Sequence, residues 1–263
     1  MTPFPPFNRQ KACRYGQMLY NPNDTYIGRS CDLYGEYSEG EVELFRQAVQ
    51  PGNTVIEVGA NIGAHTLFLA QQVTQTGAVV AFEPQRIVFQ TLCANMAINS
   101  VRNVFAFQQA VGAKPGSVKI PPLDYTKENN YGGLALGAYE VGEEVPVVRL
   151  DDFNFSACNF LKIDVEGMEQ AVLEGAKTLI SRFRPVMYVE NDKQEKSASL
   201  VRYIDSLGYK MYWHRPYYFN PQNFFGNPND VYPTVASINM VCIHGSVPHE
   251  LPGFPPVEVP PLV

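Results

Sequence analysis

Apolar and polar residues follow two different rhythms along the chain. Seven short apolar runs predict β-strands: NTVIEVGA, AVVAFEP, NVFAFQQAVG, NFLKIDVEG, PVMYVEN, YKMYWHR and ASINMVCIH. Four stretches between them carry apolar residues at helical spacing: NIGAHTLFLAQQV, QRIVFQTLCANMAIN, MEQAVLEGAKTLISRF and QEKSASLVRYIDSLG. Because strands that alternate with helices form βαβ units, we expect an α/β fold, a doubly wound and mostly parallel sheet with helices on both faces.

Four stretches depart from this alternation and set the predicted boundaries. Residues 1–37 are rich in Pro, Asn, Tyr and Gly and predict a loop-rich lead-in to a single domain over 38–247. Inside that domain, the strand-like edges of about 112–145 predict a hairpin or flap. An aromatic loop is predicted at about 214–234, and a structureless loop of that length in a compact domain is usually functional. Residues 248–263 hold six prolines and predict an extended or disordered tail.

The first helix of the domain is predicted over SEGEVELFRQAVQPG. Ser38 is a residue type that caps helices, and Glu41 completes a capping box three residues later. Pro51 and Gly52 end the helix.

Composition excludes several classes of protein. The 263 residues are 45% apolar and 17% charged with a net charge of −6, and they contain no run of Lys or Arg, which argues against a protein that binds nucleic acid. Five cysteines without a Cys-x-x-Cys motif favour free thiols over a disulfide framework. We see neither a signal peptide in MTPFPPFNRQ nor an apolar run of the ~20 residues that span a membrane, so we expect a cytoplasmic protein.

A glycine turn follows the first strand, in EVGANIGAH. Gly59 and Gly63 bracket the turn at the carboxyl edge of the sheet, where α/β proteins bind their ligands. The dinucleotide motif G-x-G-x-x-G is not met, because Asn61 and Ala64 replace its second and third glycines. A nicotinamide-dependent oxidoreductase is therefore disfavoured, and a nucleoside without a pyrophosphate fits better. Glu83 ends the second strand, where an acid can bind ribose hydroxyls or can instead cap the next helix.

These residues carry a resemblance. The segments YGEYSEGEVELF, PGNTVIEVGANIGAHTLFLA, AFEPQ, AVG, LDDF, FLKIDVEGMEQAVLEGA and PVMYVEN lie between Tyr34 and Asn191. Through them the chain resembles the class I S-adenosylmethionine-dependent methyltransferases, and more narrowly the FkbM family. The order of EVGANIGAHT and KIDVEG, about a hundred residues apart, is the most specific part of the resemblance.

The resemblance implies a Rossmann-like sheet of seven strands with the last strand antiparallel, S-adenosylmethionine across the carboxyl ends of the first three strands, and methyl transfer to oxygen. It also implies the residues that bind this cofactor: Tyr37, Glu57, Gly59, Asn61, Gly63, Glu83, Pro84, Gln109, Ala110 and Asp164. Among these, Tyr37 is expected to close over the cofactor.

Three charged residues alternate along the strand NFLKIDVEG. Asp164 stands at its carboxyl end and is our first candidate for a catalytic base or an acceptor-orienting group. Glu166 either shares that role or caps the next helix, and Lys162 is interpreted as an ion-pair partner. Amine methyltransferases of this class often end the strand in Asp/Asn-Pro-Pro-aromatic, and the different ending here suits a hydroxyl acceptor.

Further candidates for catalysis lie at the ends of later strands. Glu190 and Asn191 end the next strand, and with Asp164 they could hold Mg²⁺ or Ca²⁺, although such groups also bind hydroxyls and we assign no metal ligand. His214 could act as a general base or could be a surface histidine. His65 could bind the cofactor carboxylate or could only pack.

The aromatic loop HRPYYFNPQNFFG joins aromatic rings with planar amides, a combination that suits sugar rings but also a packed lid or a contact in a homo-oligomer. We therefore expect an O-methyltransferase that acts on a hydroxyl of a glycan or a small hydroxylated metabolite. The alternative is a catalytically inactive, methyltransferase-like protein that binds a glycan or a partner.

Overall fold

A central sheet of seven strands positions every predicted site residue. The computed structural model describes residues 5–135, 137, 139–248 and 251–261. Its elements are β1 (Arg9–Cys13), β2 (Gly16–Tyr20), α1 (Ile27–Tyr34), α2 (Glu39–Ala48), β3 (Thr54–Val58), α3 (Ala64–Gln72), β4 (Ala78–Phe82), α4 (Arg86–Ile98), β5 (Val104–Phe107), β6 (Ala110–Val111), β7 (Gly116–Ile120), β8 (Glu143–Val148), a 3₁₀ helix (Leu150–Asp152), β9 (Phe160–Ile163), α5 (Glu169–Glu174), α6 (Lys177–Phe183), β10 (Val186–Glu190), α7 (Gln194–Ser206), β11 (Tyr209–His214) and β12 (Asn239–His244).

The order of strands in the central sheet is β11-β12-β10-β9-β3-β4-β5. The strands from β10 to β5 are parallel to their neighbours, and β12 is antiparallel to both β10 and β11. The predicted seven-stranded, doubly wound fold with an antiparallel last strand is therefore confirmed. Parallel strands end at one edge of the sheet, so the carboxyl ends of β3, β4, β9 and β10 meet there.

The charged strand β9 divides its side chains between two apolar cores. Leu161 and Ile163 join the core formed with α5, α6 and α7, whereas Phe160 joins the core formed with α2 and α3. Because successive residues of a strand point to opposite faces, Lys162 shares the face of Phe160 and is only 2% exposed. The charge on this face is therefore buried beneath α2 and α3.

The lead-in differs from its prediction as a loop-rich segment. Strands β1 and β2 pair antiparallel, and helix α1 follows. Met18 and Tyr20 are buried on one side of this hairpin. The hairpin is anchored by Asn95 of α4, whose amide accepts from Leu19 N at 2.6 Å and donates to Leu19 O at 3.0 Å. Such a tertiary anchor leaves no local pattern in the sequence; residues 1–4 lie outside the described residues.

The capping box predicted at α2 is not formed. Ser38 has φ 46° and makes no side-chain bond to the helix amides. Its hydroxyl instead donates to the Glu41 carboxylate at 2.9 Å, which also accepts from the Ser237 hydroxyl at 2.6 Å. Glu41 is turned inward because its carboxylate has partners on a distant part of the chain, which a local motif does not predict.

The flap and the aromatic loop are built on this frame. Strands β6, β8 and β7 form a small sheet, and residues 121–142, of which 136 and 138 lie outside the described part, connect β7 to β8. The aromatic loop lies on α1, where Tyr34 donates to Asn229 O at 2.8 Å and accepts from Val231 N at 2.9 Å. These side-chain bonds replace the periodicity that the loop lacks.

The proline-rich tail, interpreted as extended or disordered, lies extended along the edge strand β11. Trp213 N donates to Pro255 O at 2.8 Å, and Val257 N donates to Met211 O at 2.9 Å. Tail residues 249, 250, 262 and 263 lie outside the described residues.

In the described part, none of the helices combines the length and hydrophobicity that crossing a bilayer requires. The five cysteines are free thiols, as expected.

Candidate active site

A cavity of about 520 Å³ opens at the carboxyl edge of the sheet, where β3, β4, β9 and β10 end. Its walls come from the strand ends, the flap, the lead-in and the aromatic loop. The predicted residues that line it are Tyr37, Glu57, Gly59, Asn61, Glu83, Pro84, Asp164, Glu166 and Glu190. The predicted residues Gly63, Gln109, Ala110 and His214 are not part of this lining.

The glycine turn serves the packing of the backbone. Gly59 has φ +85°, and a Cβ placed there would lie 1.8 Å from Asp164 O on the neighbouring chain segment. Gly63 has φ +84°, and a Cβ there would lie 2.6 Å from Leu92 of α4. Gly63 was expected to contact the cofactor, but it is directed at α4 because the turn has to bring α3 and α4 together.

Glu83 is fixed by two backbone amides. Its carboxylate accepts from Asn61 N at 3.0 Å and from Gln85 N at 2.9 Å, so it ties the end of β4 to the glycine turn and to the start of α4. Burial raises the pKa of Glu83 to about 7. A carboxylate offers about four lone-pair positions, so acceptor capacity remains toward the cavity. The two interpretations of this residue, helix cap and cavity ligand, are therefore compatible.

Glu57 and Lys162 lie side by side on β3 and β9. Glu57 accepts from Thr66 Oγ1 at 2.6 Å, while its other oxygen has no hydrogen-bond partner and lies 3.8 Å from Lys162 Nζ. Burial raises the pKa of Glu57 to about 7. Burial also lowers the pKa of Lys162, but the charges of Asp164 and the neighbouring glutamates raise it by more. Lys162 is thus the buried ion-pair partner that the sequence indicated.

Asp164 and Glu190 form a coupled pair of carboxyl groups. Burial raises the pKa of Asp164, but Lys162, which donates to it at 3.0 Å, and a hydrogen bond from Glu190 bring it below its usual value. Burial and the charge of Asp164 hold the pKa of Glu190 well above its usual value. These opposite shifts favour the state in which Asp164 is ionised and Glu190 is protonated.

Glu166 contacts a lysine rather than a helix end. It has φ 52°, and its carboxylate accepts from Lys193 Nζ at 2.5 Å. The amide of Gly167 is bound by Glu169 instead, at 2.8 Å. The left-handed backbone at Glu166 turns its side chain into the cavity, so the helix-cap interpretation does not describe its contacts.

The metal set considered from the sequence is not assembled. Asn191 is buried, and its amide donates toward Met240 Sδ at 3.3 Å, away from Asp164. In the described chain, the carboxylates that converge are those of Glu166, Glu190 and Asp192, whose oxygens lie within 4.8 Å of one another. Lys193 Nζ contacts two of them, because it donates to Asp192 at 2.7 Å as well as to Glu166.

The third strand supplies less of the site than expected. Ala110 is buried in β6, where it pairs with Val147, and Gln109 Oε1 is buried without a partner. The flap takes their place, because Gln85 Nε2 donates to Tyr131 O at 2.7 Å and holds Asn130, Gly132, Gly133 and Leu134 against the cavity. The sequence pointed to this wall only through the strand-like edges of the predicted flap.

The two histidine candidates differ. His214 lies outside the cavity, where its Nδ1 is 2.9 Å from the Tyr188 hydroxyl and its ring packs on Phe254; burial lowers its pKa to about 4. It was a candidate base because strand ends are favoured positions, but its side chain is turned toward the tail.

His65 lines the cavity between the rings of Tyr37 and Phe45, and burial lowers its pKa to about 3. Its Nε2 has no hydrogen-bond partner. A neutral ring does not supply the positive charge that a carboxylate ligand favours.

Aromatic side chains from the lead-in and the loop close the cavity on the side of β10. Tyr218 packs edge-on against Tyr26 and Tyr37, with ring centroids 5.5 and 5.6 Å apart. Ser237 and Asn239 complete this wall. Tyr26 was not predicted, because nothing local distinguishes it from the other tyrosines of the lead-in.

Comparisons with known proteins show the family of this chain. Residues 57–211 match the model of the methyltransferase FkbM domain, which is more than half of the chain. The chain belongs to the FkbM methyltransferase family. Methyltransferase 1 of Beauveria bassiana is 31% identical over 145 residues, a match that covers 46% of this chain and 57% of that protein. Methyltransferase sdnD of Sordaria araneosa is 25% identical over 157 residues and is covered to 59%. The match therefore spans less than two thirds of either curated relative.

Solved structures show the same fold. A methyltransferase FkbM from Methylobacillus flagellatus has a TM-score of 0.50 at 18% identity, with 76% of this chain and 50% of that chain covered. A precorrin-6y C5,15-methyltransferase from Geobacter metallireducens has a TM-score of 0.50 at 11% identity, with 78% and 86% covered. The Rossmann-like fold of class I methyltransferases, expected from the sequence of this FkbM family member, is confirmed.

Proposed function

We propose that this chain transfers a methyl group from S-adenosylmethionine to a hydroxyl oxygen of a glycan or a small hydroxylated metabolite. The observation that carries the proposal is the carboxylate of Asp164, held by Lys162 beside Glu190, at the end of a cavity whose other end offers unpartnered acceptors. Methyl transfer to a hydroxyl needs an aligned donor and acceptor and a group that takes the hydroxyl proton.

The residues present fit S-adenosylmethionine. Among the described residues that line the cavity, Glu57 Oε1, His65 Nε2 and Gln85 Oε1 are buried acceptors without a hydrogen-bond partner. The cofactor carries matching donors: an ammonium, ribose hydroxyls and an adenine amino group. Glu57 would hold the ammonium, Glu83 the ribose, and Gln85 with the flap the base.

When bound, S-adenosylmethionine supplies a methyl group on a positively charged sulfur. The S–CH₃ bond would break as the acceptor's O–CH₃ bond forms, which leaves S-adenosylhomocysteine, and Asp164 would receive the proton of the acceptor's O–H bond. Lys162 keeps Asp164 ionised and oriented, since it donates to Asp164 at 3.0 Å. Glu190, which already holds a proton, keeps a second negative charge away from Asp164.

A polyhydroxylated acceptor suits the remaining walls. The rings of Tyr26, Tyr37 and Tyr218 offer apolar faces for C–H groups, while Ser237 and Asn239 offer hydrogen bonds. Carboxylates line the acceptor end of the cavity, and they disfavour a phosphorylated or carboxylated acceptor.

The five free thiols favour a reducing compartment, and we place the protein in the cytoplasm.

Titration calorimetry with S-adenosylhomocysteine tests the cofactor, and release of S-adenosylhomocysteine over a panel of sugars and hydroxylated metabolites tests the reaction. We expect binding that Glu83→Ala weakens at least about tenfold, since hydrogen bonds to a charged group contribute ~1.5–3 kcal/mol. Glu43→Gln on the exposed face of α2 is the control. Binding of NADH in place of S-adenosylhomocysteine would overturn the proposal, and cofactor binding without turnover on any acceptor would favour the inactive binding protein.

A further inference from the structure

The acceptor end of the cavity contains its own cation. Lys193 lies between β10 and α7, and its Nζ donates to Glu166 at 2.5 Å and to Asp192 at 2.7 Å. Its side chain is 30% exposed and that of Glu166 is 18% exposed, and both residues line the cavity. Asp192 also lines the cavity and is exposed to solvent.

This position is one where a divalent ion would be expected. Three carboxylates, those of Glu166, Glu190 and Asp192, bring oxygens within 4.8 Å of one another. Glu190 Oε2 is buried here without a hydrogen-bond partner. Glu166 and Asp192 are like charges held close together, and they repel each other unless a cation lies between them.

The backbone around the cluster is built to hold the lysine. Glu166 and Gly167 have φ values of 52° and 92°, so the chain turns sharply after β9. Lys196, one turn into α7, donates to Gly167 O at 2.8 Å and fixes this turn from outside. Two lysines near the start of α7 therefore make different contacts. Lys196 binds the backbone of the turn, and Lys193 binds the carboxylates.

The ammonium has a donor to spare. Lysine carries three N–H donors, and two of those of Lys193 are directed at Glu166 and Asp192. The third is available to an oxygen in the cavity. A hydroxyl bound there would lose its proton more readily, because a nearby positive charge favours the developing alkoxide.

We propose that Lys193 is the resident cation of the acceptor end: it occupies the place of a divalent metal ion among Glu166, Glu190 and Asp192, and it donates to the acceptor oxygen. Lys193 remains protonated throughout, and the hydroxyl proton still passes to Asp164. The second half of the proposal rests on the proposed methyl transfer; the first half does not.

Manganese(II) titration followed by electron paramagnetic resonance tests the first half. Lys193→Gln removes the charge and leaves the three carboxylates, so we expect this variant to bind Mn²⁺ at least about tenfold more tightly than the wild type. Lys193→Arg keeps the charge and should bind Mn²⁺ no better than the wild type. Lys177→Gln removes a charge from the exposed face of α6, away from the carboxylates, and serves as the control.

Kinetics test the second half. We expect kcat of Lys193→Gln to fall about 10- to 100-fold with S-adenosylhomocysteine binding unchanged, partial recovery in Lys193→Arg, and no effect of EDTA on the wild type. Wild-type Mn²⁺ binding as tight as that of Lys193→Gln, or unchanged kcat in Lys193→Gln, would overturn the proposal. If Lys193→Gln does not fold, the wild type and Lys193→Arg still decide it, because tight Mn²⁺ binding or EDTA-sensitive turnover in either contradicts a resident lysine. If the wild type does not bind S-adenosylhomocysteine, the methyltransferase proposal is overturned, whereas the interpretation of the Mn²⁺ titration is unaffected.

Discussion

The two ends of the cavity satisfy their carboxylates by different means. At the end formed by β3 and β4, Glu83 is bound by backbone amides, and Glu57 is bound by Thr66 in the helix that directly follows. At the end formed by β9 and β10, Glu166 and Asp192 are bound by the side chain of Lys193. The first end is fixed by a short stretch of chain, and the second depends on several stretches that meet only in the fold.

This difference separates contacts that come from the backbone of the fold from contacts that depend on the side chains of one sequence. Backbone amides are supplied by any sequence that adopts the turn, so the end near β3 can serve one cofactor in many proteins. Side chains from the lead-in and the aromatic loop can be exchanged without disturbing the sheet. We therefore propose that the first end binds the cofactor and that the second selects the acceptor.

The largest expected effect belongs to the second end. Asp164→Asn removes the proton acceptor, so we expect kcat to fall about 10²- to 10⁴-fold while S-adenosylhomocysteine binding changes little. Steady-state turnover and calorimetry measure the two quantities separately. Asp205→Asn on the exposed side of α7 is the control, and an Asp164→Asn enzyme with wild-type kcat would remove this residue from catalysis.

A smaller effect is expected at the first end, through pH. Burial raises the pKa of Glu57 from 4.5 to about 7 in the folded protein, so the folded state binds more protons than the unfolded state between these values. Its contribution to stability is therefore present below about pH 4.5 and is lost as the pH rises through about 7. We expect the melting temperature of Glu57→Gln, measured relative to the wild type, to increase from pH 5 to pH 8.

The same residue links pH to ligand binding. Ionised Glu57 favours the ammonium of S-adenosylhomocysteine, so wild-type affinity should rise as the pH passes through about 7, and Glu57→Gln should lose this rise. Calorimetry between pH 6 and pH 8 measures it, with Glu43→Gln as the control. An identical pH dependence in the wild type and Glu57→Gln would contradict the assignment of Glu57 to the cofactor.

The smallest effect is expected outside both ends. His214→Gln should leave kcat within about twofold of the wild type, because the ring bonds to Tyr188 and packs on Phe254 away from the cavity. A loss of tenfold or more in kcat would place His214 back among the catalytic candidates. The Tyr188 contact makes a modest change in melting temperature the expected readout.

The sequence predicts the first end far better than the second, for a physical reason. Glu57, Glu83 and the glycine turn lie where strands end, and strand ends follow from periodicity. Lys193 and Tyr26 gave no signal, because their roles depend on partners distant in sequence. Glu41 gave a misleading signal, because its spacing from Ser38 fits a local capping box. Its carboxylate instead accepts from Ser237, which lies just before β12.

The fold was predicted more completely than its additions. The alternation of strand and helix patterns is sufficient to predict the seven strands and the helices that connect them, because each element buries its own apolar face. The hairpin of β1 and β2 was missed because it is anchored by Asn95 of α4. The side-chain amide of Asn95 bonds to both backbone groups of Leu19, as a neighbouring strand would. Gln109 and Ala110 were assigned to the cavity because the flap's position could not be derived from local pattern.

The tail along β11 has a consequence for how the protein behaves in concentrated solution. Strand β11 is the last strand of the sheet on that side, and the backbone groups of Trp213 and Met211 are covered by Pro255 and Val257. Uncovered strand edges recruit strands of other molecules, whereas prolines cannot extend a ladder further. The proline-rich segment covers this edge, so we expect removal of residues 251–261 to increase aggregation, which light scattering would measure.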